Sequence, residues 1–171
     1  MPKMAQICQF CLRSGMLCPK CQKKVESGEV TQLDLKIARL LLSMEKEFPV
    51  LQEVTFYGAV NAKETLAIIV DKGDVARMLS YGGKIIREIG KKVGKIVRVV
   101  EHGVSSRKFI EDLFAPLTVV AINKIWLPDG TTETRVILDR RSGKLSKQRV
   151  ESLKEIAKKV QGLTLRVEYS N

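Results

Sequence analysis

Four cysteines lie within the first 21 residues of the 171-residue chain, and no other cysteine follows them. They form two Cys-x-x-Cys pairs, Cys8 with Cys11 and Cys18 with Cys21, and six residues separate the pairs. Each short loop brings two sulfurs toward one ion, and the second pair completes a tetrahedral thiolate cage of the kind that zinc occupies. The spacing therefore predicts a small zinc knuckle within residues 1–28.

A cage closed by four thiolates leaves no open coordination position for water or substrate, so the metal is expected to hold the fold rather than to catalyse. Three other uses of the same cysteines remain open: two disulfides, a rubredoxin-like iron site and a redox-active Cys-x-x-Cys pair. Lys20, Lys23 and Lys24 lie beside the second pair, where they could contact phosphate or simply be solvated.

A second motif with chemical content is the run Ser80, Tyr81, Gly82, Gly83 and Lys84, with Arg87 about one helical turn later. Glycines permit a tight turn and the close approach of a phosphate backbone, and the N–H groups that open the next helix form a partly positive end. Lys84 and Arg87 add two full charges, and both are expected to reach a nucleic-acid backbone that crosses the turn. The alternative is a plain connection between two helices that uses glycine for its geometry.

This turn is not a nucleotide-binding P-loop. Met78 stands where the first glycine of that motif would be, and Ile85 stands where Ser or Thr would bind magnesium. The sequence also lacks a dinucleotide-binding fingerprint. The glycines are therefore expected to serve a helix–turn–helix connection rather than a nucleotide site.

Hydrophobic periodicity predicts the elements around the turn. Their order is a helix over 31–48, strands over 51–60 and 65–71, a short helix over 74–79, the turn, a helix over 84–93 and a strand over 96–100. The order then recurs as a helix over 105–114, strands over 117–127 and 131–139, a helix over 146–160 and a strand over 163–167. Residues 88–93 and 155–160 match almost one for one, which indicates a duplication with a boundary near 102–104.

The strand over 67–73, the Gly-Gly turn and residues 87–99 together resemble a K-homology domain of prokaryotic topology, and look most like the archaeal NusA-like transcription factors. The resemblance covers 31–101 closely and 105–169 by pattern, and the knuckle lies outside it. It implies an α+β sandwich fold. The expected organisation is the knuckle (1–28) and two tandem units (29–103 and 104–171), each ordered helix-strand-strand-helix-helix-strand.

Domains of this family hold about four nucleotides of single-stranded nucleic acid with a GXXG loop between two helices. The resemblance therefore implies that single-stranded RNA is bound by Ser80, Tyr81, Gly82, Gly83, Lys84 and Arg87. The chain departs from the family's pattern in the first unit, because Ser80 stands at the first glycine position and only the second, Gly83, is kept.

The second unit is expected to have lost this loop, since the corresponding residues 147–150 contain no glycine. A basic cluster remains there, formed by Arg140, Arg141, Lys144, Lys147 and Arg149. These side chains could bind phosphate without a backbone clamp, or they could be solvated.

The net charge of +11 and a pI near 9.6 are typical of a polyanion-binding protein. A lysine-rich surface that only confers solubility is the alternative. A membrane-surface role is disfavoured, because the basic residues do not oppose a large Trp/Phe face. No apolar run reaches the roughly 18 residues that span a bilayer, and residues 1–5 do not begin a signal peptide, so a cytoplasmic location without a membrane partner is expected.

These observations together predict a non-enzymatic protein that binds single-stranded RNA in transcription elongation, transcription termination or RNA processing, and that uses no small-molecule substrate. The alternative is a protein-interaction module that docks on RNA polymerase or the ribosome, with RNA binding secondary. An enzyme is disfavoured, because His102 is the only histidine available for acid–base or metal chemistry. Trp126 is expected to pack at a strand end, and Tyr81 could stack on a base.

Overall fold

The structure is a computed structural model that describes Lys3–Met4 and residues 7–171. The chain divides into two compact units, the first made of Met1–Ala59 with Ala67–Gly103 and the second of Val60–Leu66 with Val104–Asn171. Helices and strands alternate in both, which confirms the predicted mixed α+β class. In the part of the chain that is described, no helix has both the length and the apolar character needed to cross a bilayer. The separation of residues 1–28 as a domain of their own stays a prediction.

Among the described residues, the first unit contains a four-stranded sheet, ordered β1-β2-β3-β4, and five α-helices. The strands are β1 (Lys3–Met4), β2 (Thr55–Ala62), β3 (Thr65–Val70) and β4 (Ile96–Glu101). The helices are α1 (Gln9–Ser14), α2 (Pro19–Glu26), α3 (Gln32–Met44), α4 (Asp74–Met78) and α5 (Lys84–Val93). Strand β1 pairs parallel to β2 and was not predicted from the sequence, since two residues carry no periodic signal.

Helix α3 begins where the sequence predicts and ends earlier. Thr31 caps it, because the Thr31 side chain accepts from the Asp34 N–H and the Asp34 carboxylate accepts from the Thr31 N–H. The helix ends at Met44, and Pro49 then opens a 3-10 helix, Pro49–Glu53, in place of the predicted start of a strand. Proline is favoured in the first turn of a helix, where its missing N–H is not needed.

A buried carboxylate joins α3 to the sheet. Asp34 is only 6% exposed, and its Oδ1 accepts a hydrogen bond of 2.8 Å from the Ala59 N–H of β2. Its Oδ2 accepts from the Thr31 N–H at 2.9 Å, so both oxygens have partners. Gly58 leaves room for this contact, because a Cβ there would lie 3.3 Å from Asp34 Oδ1. The core of the unit thus includes one satisfied polar group among apolar side chains.

The second unit contains a three-stranded sheet with two α-helices. Its elements are α6 (Ser106–Phe114), β5 (Val119–Trp126), β6 (Thr132–Leu138), α7 (Lys147–Gln161) and β7 (Leu165–Tyr169). Strand β6 lies in the centre, antiparallel to β5 and parallel to β7. Ser105 caps α6 and Ser146 caps α7, as serine hydroxyls do when they accept an N–H from the first turn.

The second unit differs from the first between its second and third strands. A three-residue 3-10 helix, Arg140–Ser142, stands where the sequence predicts the first of two helices. Eight residues separate β6 from α7, whereas thirteen separate β3 from α5. Eight residues are too few for a helix, a turn and a cap, so this connection is reduced to one tight turn that ends at Gly143 (φ 134°).

Candidate metal centre and nucleic-acid interface

The four cysteine sulfurs converge on one point. All four Sγ atoms lie within 4.8 Å of one another. Cys8 Sγ lies 3.2 Å from Cys11 Sγ and 3.8 Å from Cys21 Sγ, which is far longer than a disulfide bond of about 2 Å. Four sulfurs at about 2.3 Å from a tetrahedral zinc would stand roughly 3.8 Å apart. The cluster could therefore hold a metal ion, and its size fits zinc.

The two Cys-x-x-Cys pairs occupy equivalent positions on two helices. Cys8 is the residue before α1 and Cys11 is its third residue, while Cys18 and Cys21 take the same places on α2. Both helices thus point their N-terminal N–H groups at the sulfurs, which stabilises negative charge there. The Cys18 N–H donates to Cys11 Sγ at 3.1 Å. The sequence predicted the cysteine cluster but not the helices that position it.

These N–H groups divide the thiols into two kinds. The Cys11 N–H, the largest influence on Cys8, lowers the pKa of that thiol. The Cys21 N–H lowers the pKa of Cys18 to about 7. The Cys18 N–H acts to lower the pKa of Cys11, but the hydrogen bond to the Cys8 sulfur and burial outweigh it and raise this pKa to about 12. One sulfur of each pair is thus favoured as the thiolate that a metal requires.

The glycine turn adopts a left-handed backbone over three consecutive residues. The φ angles are +58° at Tyr81, +64° at Gly82 and +81° at Gly83. Glycine adopts this region freely, whereas a tyrosine there is uncommon. A Cβ added at Gly82 would meet nothing within 4 Å, so the outer surface of the turn is open. The predicted turn is therefore present between α4 and α5, with exposed backbone at its tip.

The two predicted cations flank this turn but also have partners within the chain. Arg87 Nη1 donates to the Gly82 carbonyl oxygen at 2.9 Å. Lys84 Nζ lies 3.8 Å from Glu47 Oε1 and 5.9 Å from the centre of the Phe48 ring. Arg87 thus supports the turn itself, while Lys84 remains 54% exposed in a weak surface ion pair.

Tyr81 is held in place by a residue that lies far from the turn in the sequence. The Phe48 ring is buried and meets the Tyr81 ring edge to face, with centroids 5.3 Å apart. Tyr81 is still 52% exposed, so one side of its ring is open to solvent. Glu47 and Phe48 were missed as neighbours of the turn, because they precede it by more than thirty residues and carry no motif.

The helices that follow the two turns differ at their N-termini. Gly83 precedes α5 and supplies no side chain, so no side-chain cap satisfies the first N–H groups of this helix. At α7 the Ser146 Oγ accepts from the Arg149 N–H at 3.2 Å. An anion could therefore take the place of a cap at α5, whereas α7 is already capped by its own chain.

The predicted basic cluster of the second unit lies along the 3-10 helix and the first turn of α7. Arg140, Lys144 and Lys147 are exposed, and Arg149 is partly buried. Arg141 forms an ion pair with Asp139 (Nη2 to Oδ2, 3.1 Å), and the hydrogen bond raises the pKa of Arg141 and lowers that of Asp139. A role of this cluster in phosphate binding stays a prediction, as do the roles of the residues at the glycine turn.

Two further aromatic positions are clear in the structure. His102 stacks on Tyr57, with ring centroids 4.0 Å apart and planes 10° from parallel, so the single histidine forms a ring stack at the end of β4. Trp126 does not pack as the sequence predicts, because it is 71% exposed. Trp126 lies near the end of the β5–β6 hairpin, which extends past the pairing of β7 that starts at Thr134.

Comparison with known proteins supports a relationship to archaeal NusA. No family model matches the chain. Over 80 residues it is 31% identical to a protein of Methanocaldococcus jannaschii named "Probable transcription termination protein NusA", covering 47% of this chain and 42% of that protein. A protein of the same name from Methanococcus vannielii is 25% identical over 64 residues, 37% of this chain and 35% of that one. The matches thus span less than half the length of both relatives.

A solved structure shares the fold. The crystal structure of APE1850 superposes with a TM-score of 0.55 over 82% of this chain and 100% of that one, at 18% identity. At this identity the likeness concerns the fold alone. The fold is therefore shared with a known structure, while the sequence relationship is the one to NusA.

Proposed function

We propose that this protein is a K-homology-type factor of transcription that binds single-stranded RNA at the turn of residues 80–84. One observation carries the proposal: the left-handed turn has open space above Gly82 and leads into a helix without a side-chain cap. A phosphate that crosses the turn meets the positive end of the α5 dipole and the ammonium of Lys84. The net charge of +11 and the partial match to archaeal NusA support the same function.

The first unit is the proposed main RNA-binding unit. Any contact of the second unit with RNA would be of a different kind. Its helix α7 is capped by Ser146, and its connection has no pair of glycines. Its basic cluster would meet RNA through side chains alone, without the backbone N–H groups that a glycine turn exposes. The transcription machinery is the proposed setting, by extension from the name of the archaeal relatives.

The four-cysteine cluster is proposed to bind one structural zinc ion. The four thiolate ligands would come from Cys8, Cys11, Cys18 and Cys21. The zinc ion would crosslink α1 to α2 and would have no open coordination position for catalysis. Arg39 Nη2 donates to the Gly15 carbonyl at 3.3 Å and joins the loop between the pairs to α3. We propose no enzymatic activity, because neither this cluster nor the stacked His102 offers an acid–base pair.

A salt series with an unstructured RNA oligonucleotide tests the RNA proposal. The full chain should bind this RNA more tightly than a duplex of equal length, since K-homology domains contact unstacked bases. Log affinity should fall with log salt by roughly 0.7 per phosphate contact. Equal affinity for the duplex, or no binding at low salt, would refute single-stranded RNA as the ligand.

A further inference from the structure

The end of the β5–β6 hairpin presents an aromatic ring that is largely open to solvent. Strand β7 pairs with β6 only from Thr134 to Leu138, so the hairpin beyond Lys124 and Thr134 has no third strand beside it. Trp126 stands here, paired across the hairpin with Thr132, and is 71% exposed. An exposed tryptophan offers a large flat aromatic face that a ligand can stack on.

The hairpin end is rigid enough to hold the ring in place. The Leu127 N–H donates to the Thr131 carbonyl at 2.9 Å and closes the turn. The Asp129 carboxylate accepts from the Thr131 N–H at 2.9 Å and from the Thr131 hydroxyl at 2.6 Å. Both bonds lower the pKa of Asp129, and the one from the Thr131 hydroxyl has the larger effect. The carboxylate therefore has its hydrogen-bond partners within the turn. A ring on such a turn loses little freedom when a ligand binds it.

The face that carries Trp126 is basic. Lys124 stands two residues before it on the same face, and its Nζ lies 4.7 Å from the centre of the indole ring. Thr132 and Thr134 are their cross-strand partners, so no carboxylate stands on this face at the hairpin end. Glu133 lies on the opposite face, 3.5 Å from Arg166. From residue 104 to 171 the chain has thirteen Lys and Arg against eight Asp and Glu.

This combination favours a nucleic acid over a protein groove as the occupant. If the ring packed into an apolar protein pocket, the nearby Lys124 ammonium would lose its hydration, which costs free energy unless a counter-charge is present. A nucleotide satisfies both groups, since its base stacks on the ring and its phosphate meets the ammonium. We propose that Trp126 and Lys124 form a base-stacking contact for single-stranded RNA in the second unit. This inference rests on the proposed function.

Trp126 is the only tryptophan of the chain, so its fluorescence reports on this site alone. The full-length protein is titrated with unstructured oligouridine RNA at low salt. RNA should quench the emission of Trp126 along the same binding curve that an RNA-based measurement gives. Trp126→Ala should weaken binding by about 5- to 150-fold, the range of one lost stacking contact. Trp126→Phe keeps a ring and should retain most of the affinity.

Val120→Ala is the matched control, because Val120 lies on the same strand and is 51% exposed but has no ring. It should leave RNA affinity unchanged, and circular dichroism should show that every variant stays folded. Only this inference is overturned if the wild-type protein binds RNA without quenching of its Trp126 emission and Trp126→Ala binds the same RNA equally well. If the wild-type protein binds no RNA, the proposed function is overturned with it. If the Trp126 emission shifts with protein concentration but not with RNA, the ring is covered by a second copy of the chain, and the inference is also overturned.

Discussion

Arg87 Nη1 donates a hydrogen bond to the carbonyl oxygen of Gly82, 2.9 Å away across the glycine turn. The guanidinium also lies 3.4 Å from the position that a Cβ of Gly83 would take. Arg87 therefore acts on the conformation of the turn besides adding charge beside it. A residue that holds a loop in its binding conformation increases affinity by lowering the entropy lost on binding.

We expect Arg87→Lys to weaken RNA binding by about 2- to 10-fold, the value of one net hydrogen bond, while the salt dependence stays that of the wild type. Lysine keeps the charge but lacks the planar fork that reaches the Gly82 carbonyl. Affinity measured at four salt concentrations separates the two effects. Wild-type affinity in Arg87→Lys would mean that Arg87 acts through its charge alone.

Lys84→Ala should reduce the slope of log affinity against log salt by about 0.7, the value of one phosphate contact on a single strand. The ion pair of Lys84 with Glu47 is exposed, so its loss should change stability by less than about 0.5 kcal/mol. Lys92→Ala is the matched control, since it removes the same charge from an exposed position in the last turn of the same helix. An equal slope change in both variants would show a general charge effect.

Replacing Gly82 and Gly83 together by Asp should weaken RNA binding by roughly 10-fold or more, because it places like charge where the phosphates pass. The matched control is the double change to Asn, which puts the same volume at the same positive φ angles without charge. The Asp pair should also bind less RNA than Lys147→Ala with Arg149→Ala. The reverse order would move the main site to the second unit.

If the four cysteines form a zinc site, we expect the purified protein to contain one equivalent of zinc, which elemental analysis measures. Because zinc displaces the thiol protons, its affinity should fall as the pH is lowered. Cys11→Ser removes a fully buried ligand and should release the metal and unfold α1 and α2. The chemical shifts of α5 should not move. One equivalent of iron, or two disulfides in freshly purified protein, would contradict the zinc site.

Asp34→Ala should destabilise the first unit by about 2–4 kcal/mol, because it removes one of the two hydrogen bonds of the α3 capping box and leaves the buried Ala59 N–H without a partner. Hydrogen exchange at the Ala59 amide measures this directly. Lys36→Ala, an exposed change on the same helix, should have an effect below about 0.5 kcal/mol. A change at Asp34 as small as that at Lys36 would show that the carboxylate is not an anchor.

Features that depend on neighbouring residues were predictable from the sequence. Helix α5 spans Lys84–Val93 as predicted, since its apolar spacing and the glycines on both sides are local signals. The serine caps of α6 and α7 and the convergence of the four cysteines are of the same kind. Each involves residues at most 13 positions apart in the chain, so chain geometry limits the alternatives.

Features that depend on distant residues were decided by the tertiary structure. The edge-to-face contact of Phe48 with Tyr81 spans 33 positions and follows from how α3 and the turn pack. Trp126 lies on the same face of its hairpin as Val136, which is fully buried, so alternation alone assigns both to the core. Trp126 is nevertheless 71% exposed, and it lies on the part of the hairpin beyond Thr134, where the pairing of β7 with β6 begins. Strand pattern determines which face a side chain is on, whereas the tertiary packing over that face determines whether the side chain is covered.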